Sequence, residues 1–230
     1  NALFGAHANE HYASVYFHAG GPEVAAKQDR YVEALATAVR AYRRRHDVFV
    51  ACVAMEQLDR SACEDLRDRL GEGVGVVASD EWDMFAMVSA IRHADLMVSS
   101  RYHALVTSMP AGVVSVGVTM DERIVNLMAD RGQPELCLTV DQPDLAERLL
   151  DAMNRADQDR ARVRSGIEQS VARSLATMGE MGARLVRIVR DRHPEFPFRR
   201  GLGDLRDPWI HLPPLSPALA DLVRRHRSAA

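Results

Sequence analysis

The chain has 230 residues and a mass of 25.5 kDa, and 47% of its residues are hydrophobic, enough to fill a sizeable core and to exclude intrinsic disorder. With 29 Lys and Arg against 32 Asp and Glu, the formal charge is -3, so the positive surplus that charge-driven nucleic-acid binding needs is absent. Apolar runs such as 48–55 and 113–118 fall far short of the roughly 20 residues of a membrane-spanning helix, which predicts a protein that does not span a membrane. Three cysteines, Cys52, Cys63 and Cys137, make no CxxC pair. That argues against a disulfide framework or a zinc knuckle and fits a reducing, cytoplasmic compartment. No charged segment with an apolar stretch behind it follows Asn1, so the start is expected to be processed or to lack an N-terminal portion.

The first element in chain order is a strand-like run, 13–18, ending in Gly20-Gly21-Pro22. Tyr31, Leu35, Ala38, Val39 and Tyr42 then recur at helical spacing, closed by Arg43, Arg44 and Arg45 where cations complement the helix dipole. Residues 48–54 are a continuous apolar run rich in β-branched side chains, as in a parallel strand covered on both faces. The alternation continues with a helix over 59–70, a strand over 74–77, a helix over 82–93 and a strand over 95–98. A helix from Arg101, a strand over 113–118, a helix over 122–130 and a short strand near 136–140 follow. This order predicts an α/β protein with a doubly wound, Rossmann-like parallel sheet. From Asp144 to about Arg190 only helical spacing remains, giving one domain over 1–192 with long C-terminal helices. The prolines after His193 mark 193–230 as an irregular strap with a terminal amphipathic stretch over 219–223. Its isolated Phe196, Phe198, Trp209 and Ile210 are expected to need another surface, partly an absent domain, and to be the least protected part of the chain.

Several local patterns read as structure. His7-Ala-Asn-Glu10-His11 matches a zinc-peptidase pattern, but it runs straight into a strand with no third ligand in view. Gly71, Gly73 and Gly75 follow a helix and lead into a strand, the reverse of a phosphate cradle, and read as a helix stop and turn. Met84, Met87, Met97, Met109, Met120 and Met128 read as soft core filling.

Three strand-to-helix turns share the carboxyl edge of the sheet, where anionic ligands bind in such folds. In the first, Gly20 and Gly21 admit a close backbone approach to a ligand, and a tight turn accounts for them equally well. In the second, Val98 ends a strand, Ser99 or Ser100 can cap the next helix, and Arg101 and His103 fall in its first turn. An Arg there opposes the helix dipole unless an anion or a carboxylate is near. Two readings stand: an anion site, or an ion-paired Arg with a buried His. In the third, Thr119-Met-Asp-Glu122 fits a capping box with Thr119 as the cap, while Asp121 and Arg123 remain as candidate ligand or supporting groups.

The ordered set Asp95-Leu-Met-Val-Ser-Ser-Arg101-Tyr-His103-Ala-Leu, Ala111-Gly-Val and Asp121-Glu-Arg-Ile-Val-Asn-Leu-Met resembles the C-terminal half of the polysaccharide pyruvyl transferase family. The resemblance covers about 28–138. It differs in carrying Val114 where members often have Pro, Arg123 where some have Lys, and no His after Ala54-Met55. It implies a fold like the C-terminal domain of two-domain GT-B glycosyltransferases, with the N-terminal acceptor domain absent from this chain. It also implies transfer of pyruvyl from phosphoenolpyruvate to a diol of a sugar or a lipid-linked oligosaccharide, forming a ketal in polysaccharide biosynthesis. By that resemblance His103 is the catalytic proton-transfer group and Arg101 holds the donor's anionic groups. Ser100, Asp121, Arg123, Gly20 and Gly21 are the further candidate substrate-binding residues. Neither a metal nor another cofactor is expected. A nucleotide-sugar glycosyltransferase of the same architecture, and a non-catalytic domain that binds an anion or a partner, are the alternatives. The domain alone is expected to bind donor without turning it over.

Overall fold

In a computed structural model, the residues described are 22–119, 122–197 and 206–229. The 13–18 strand, the Gly20-Gly21 turn, the His7–His11 pattern, Asp121, Met120 and Phe198 lie outside them.

Among the described residues the element order is α1 (Pro22–Arg43), β1 (Val50–Ala54), α2 (Arg60–Leu70), β2 (Val74–Ala78), α3 (Met84–Arg92), β3 (Leu96–Ser99) and α4 (Tyr102–Ser108). Then follow β4 (Val114–Thr119), α5 (Glu122–Asp130), β5 (Cys137–Thr139), α6 (Leu145–Gln158), α7 (Arg160–Arg192) and α8 (Pro217–Ala229). The chain is α/β, as its alternating pattern predicts. The strands form two small parallel sheets: β1 pairs with β2, and β4 lies between β3 and β5. No ladder among the described residues joins β1 to β3.

Burial follows from that pairing. Every residue of β4, the one strand paired on both sides, is buried. The 48–54 run departs from the expected two-sided burial: Cys52 and Ala54 are buried, Ala51 is exposed, and Phe49 lies outside the strand at 80% exposure. Among the described residues β1 pairs only with β2, and its Cys52 packs with Ala36 of α1 and Leu70 of α2. The main core gathers Leu105, Val114, Val116, Ile124, Met128, Leu136, Leu149 and Ile167, whereas Ala36, Cys52 and Leu70 make a smaller cluster under the other sheet. Helix α1 serves both, since Val32 and Ala38 enter the main core, Ala36 the smaller one, and Val39 touches each.

Local interactions set several of these ends. Asp83 caps α3 by accepting from the Ala86 amide at 2.8 Å. Gly71 and Gly73 have φ of 85° and 78°, left-handed values that make the stop and turn before β2. Met87, Met109 and Met128 fill the core, but Met84 is 63% exposed, so it is no filler. The three cysteines are free, and burial pushes the Cys52 thiol up to about 11 and the Cys63 thiol up to about 12, which keeps both protonated and unreactive near neutrality. No helix among the described residues is long and apolar enough to cross a membrane.

Part of the tail packs on its own chain. Residues 208–211 lie along α7 of the same chain, Trp209, Leu212, Leu215 and Leu219 pack on the main core, and Leu222 and Val223 of α8 are buried in it. Two glycines make the approach possible: a Cβ at Gly179 would stand 2.2 Å from the Pro208 carbonyl oxygen, and one at Gly182 2.8 Å from the His211 Cβ. Gly costs a helix interior about 1 kcal/mol relative to Ala, so removing it ordinarily stabilises. At position 179 the sign is expected to reverse, because the neighbour is backbone and cannot swing away. Gly179→Ala should lose about 1–3 kcal/mol in a thermal or urea melt and speed amide exchange across 206–229. A more stable Gly179→Ala protein would show that this packing is not close.

Candidate functional site

The carboxyl edges of β1 and β3 meet at Arg101. Beyond β1, Glu56 precedes a single 3-10 turn, Gln57–Asp59, and Asp59 leads into α2. Beyond β3, the Arg101 amide donates to Ser99 Oγ at 3.0 Å, and Arg101 itself stands at the N-cap of α4 rather than inside its first turn. The extended backbone there, φ -103° and ψ 116°, throws the side chain toward β1. Its guanidinium grips Asp59 with both forks, Nε to Oδ2 at 2.7 Å and Nη2 to Oδ1 at 2.5 Å, and donates from Nη1 to Glu56 Oε1 at 2.9 Å. Of the two readings for Arg101, the structure shows the ion pair.

Burial ranks the two carboxylates. The Asp59 side chain is 11% exposed and that of Glu56 43%, with Arg101 itself at 19%. An ionised Asp so far out of water is tolerated only when paired, so the Asp59 grip is the firm one and Glu56 the one that solvent and ions can reach. The same edge continues outward: Arg60 binds Asp80 at 2.7 Å, Glu81 at 2.6 Å and Glu64 at 3.0 Å, which ties the start of α2 to the end of β2.

Tyr31 of α1 comes up from below, 7% exposed, and shares a side-chain hydrogen bond with Ser100. Burial raises its phenol to about 12, the Ser100 bond opposes that shift, and the nearby Asp59 charge adds to it. Ser100, predicted as a substrate ligand, is thus engaged with α1.

On the outer side, the exposed ring of His103 meets the edge of Tyr102 with centroids 5.8 Å apart, and the Arg123 guanidinium lies 5.8 Å over the same Tyr102 ring. His103 is therefore not the buried histidine that the structural alternative requires, and its ring has no hydrogen-bond partner among the described residues. His103 and Arg123 both meet the Tyr102 ring, whereas the Arg101 guanidinium binds Asp59 and Glu56 beyond β1. Thr119 is the last, buried residue of β4, and Met120 and Asp121, which complete the predicted capping box, lie outside the described residues. Gly20, Gly21 and Asp121 lie outside the described residues. Among the described residues no cluster of three or more His, Cys, Asp or Glu side chains is arranged to hold a metal ion.

Sequence reasoning missed Glu56, Asp59 and Tyr31 as members of this site, and Arg131 as a feature of the core. Arg131 is 2% exposed, donates from Nη2 to Ser115 Oγ at 3.0 Å, and has Nε and Nη1 buried without partners. Burial alone lowers it to about 10, so it remains a cation at neutral pH. Comparison with known proteins adds nothing to the geometry: no family model, no curated protein and no solved structure matches the chain.

The Tyr31 shift has a measurable consequence. A phenol with a folded value near 12 and an ordinary value of 10 holds stability that is complete below pH 10 and is lost as pH rises toward 12. Melting temperature should fall over that range by more in the native chain than in Tyr31→Phe, the difference amounting to about 2 kcal/mol. Parallel alkaline limbs for the two proteins would place Tyr31 in contact with water.

Proposed function

We propose that this chain is the donor-binding, GT-B-like C-terminal half of a pyruvyl transferase, taking phosphoenolpyruvate as donor and a sugar diol as acceptor. The doubly wound sheet of that fold requires a link between β1 and β3 that the described residues do not contain. The observation that supports the reading is the meeting of an accessible His103 and of Arg123 at the Tyr102 ring, one residue along the chain from Arg101, in a sequence context that resembles that family. Ketal formation needs a proton delivered to the donor's methylene carbon, anion binding for its carboxylate and phosphate, and two attacking hydroxyls. His103, open to solvent, suits the proton transfer. Arg123 supplies a fixed positive charge beside it.

In this reading Arg101 takes part by exchange. Asp59 keeps the Nε and Nη2 fork, and a donor carboxylate or phosphate replaces the more exposed Glu56 at Nη1. A second reading, a non-catalytic domain in which Arg101 only joins the two sheets, is favoured by the guanidinium having carboxylates on both forks already.

Glu56 separates the two. If it competes with the donor, Glu56→Gln removes a charged competitor and should tighten phosphoenolpyruvate binding about threefold to tenfold, read by calorimetry. His103→Gln should leave that affinity alone and slow phosphate release in the protein with its acceptor domain by about a hundredfold or more. Phosphoenolpyruvate at a hundredfold excess over its dissociation constant should stabilise the fold by about 2.7 kcal/mol in a melt. A shift with a nucleotide-diphosphate sugar instead would move the assignment to a glycosyltransferase, and a folded protein that responds to neither at millimolar concentration would contradict a donor site.

A further inference from the structure

Helix α1 ends at Arg43, and Arg44, Arg45, His46, Asp47 and Val48 carry the chain toward β1. These six residues line a surface cavity of about 410 Å³ at the amino end of β1, opposite the end that Arg101 reaches. The dipole of α1 accounts for cations here, but the last carbonyls of that helix are already served by its own backbone. The Arg44 amide donates to the Arg40 carbonyl at 3.2 Å, and the Arg45 and His46 amides donate to that of Tyr42 at 2.9 and 3.1 Å. Arg43 reaches away, donating from Nη1 to the Leu70 carbonyl of α2 at 3.4 Å. His46 is held by stacking on the buried Tyr42 ring, with centroids 4.1 Å apart. Neither the Arg44 nor the Arg45 side chain has a hydrogen-bond or ion-pair partner among the described residues. Three permanent positive charges and a histidine thus stand beside a single carboxylate, Asp47, in a chain whose formal charge is -3. Adjacent like charges repel, and an anion that joins them removes that cost.

We propose that the 43–48 loop binds the phosphate group of a phosphomonoester, at a site separate from the one at the carboxyl edge. A phosphomonoester carries close to two charges and three acceptor oxygens, which matches two or more guanidinium forks at once. A carboxylate, with one charge and two oxygens, serves only one of them. A nucleic-acid backbone presents its charges along an extended line, whereas these lie within six residues of a chain that is negative as a whole. The cavity is larger than a bare phosphate, so it has room for part of the group that the phosphate esterifies. That group meets Val48, 37% exposed, and beside it Phe49, 80% exposed. A free phosphomonoester and a lipid headgroup present the same dianion, and only the lipid gives Phe49 an apolar phase to enter.

Calorimetry of the full chain with glycerol 3-phosphate, and flotation with phosphatidylcholine vesicles containing phosphatidic acid, test the site at constant ionic strength. The native chain should bind at least one of the two probes, with a dissociation constant below about 1 mM for the soluble one. The double variant Arg44→Glu/Arg45→Glu should weaken that binding at least tenfold. Arg184→Glu/Arg187→Glu, an equal change of charge at exposed positions of α7, should leave it as it is. Arg45→Gln repeats the test with about a threefold loss should the double variant fail to fold. Vesicle binding that Phe49→Ser also weakens identifies a lipid headgroup as the source, and binding of the soluble probe alone identifies a free phosphomonoester. Failure to bind either probe, binding indifferent to Arg44 and Arg45, or equal binding of sulfate, which marks an adventitious ion only, would overturn the proposal.

Discussion

One guanidinium holds the carboxyl edges of the two sheets together. β1–β2 and β3–β4–β5 share no ladder among the described residues, where helices packed beneath both and side chains that cross the gap connect the two. Arg101 is the crossing residue, leaving β3 and binding Asp59 and Glu56 beyond β1. From below, α1 reinforces the joint, contributing side chains to both apolar clusters and placing Tyr31 against Ser100. The arrangement is demanding because Asp59 is nearly out of water. Such a carboxylate, left without its partner, costs far more than a surface pair is worth.

That joint also decides what the site can do. The three side chains that the sequence singled out along this stretch are unequally placed. Arg101 is bound to carboxylates, Arg123 lies over the Tyr102 ring, and His103 is open to solvent. Of the two carboxylates on Arg101, Glu56 is the more exposed and Asp59 the more deeply held. The residue with the strongest sequence signal is therefore the one most committed to holding the fold, and its ligand role, if exercised, comes through one nitrogen.

Much of the architecture was legible because it is local. The 3.6-residue spacing along α1, α6 and α7 and the glycine stop after Leu70 act within a few residues of themselves. The joint was not legible for the opposite reason: Asp59 and Arg101 are 42 positions apart, and nothing in the sequence around either names the other. Asp59 read simply as a helix start. The same holds for the tail, whose prolines and scattered apolar residues suggested a missing surface. Part of that surface is α7, and the signal that could have found it was present in Gly179 and Gly182, two residues that weaken a helix unless something must come close. Arg131 gave no warning at all, since an Arg one residue past a helix end ordinarily points to solvent.

The measurement that bears most directly on the joint is a double-mutant cycle on Asp59→Ala and Arg101→Ala, read as unfolding free energy in urea at neutral pH. If Arg101 is the tie between the sheets, each single variant should lose roughly 3 kcal/mol. The double variant should then lose much less than their sum, giving a coupling of about 2 kcal/mol or more. Single losses that add to within about 0.5 kcal/mol would contradict the account, because two side chains that do not depend on each other cannot be what joins the sheets.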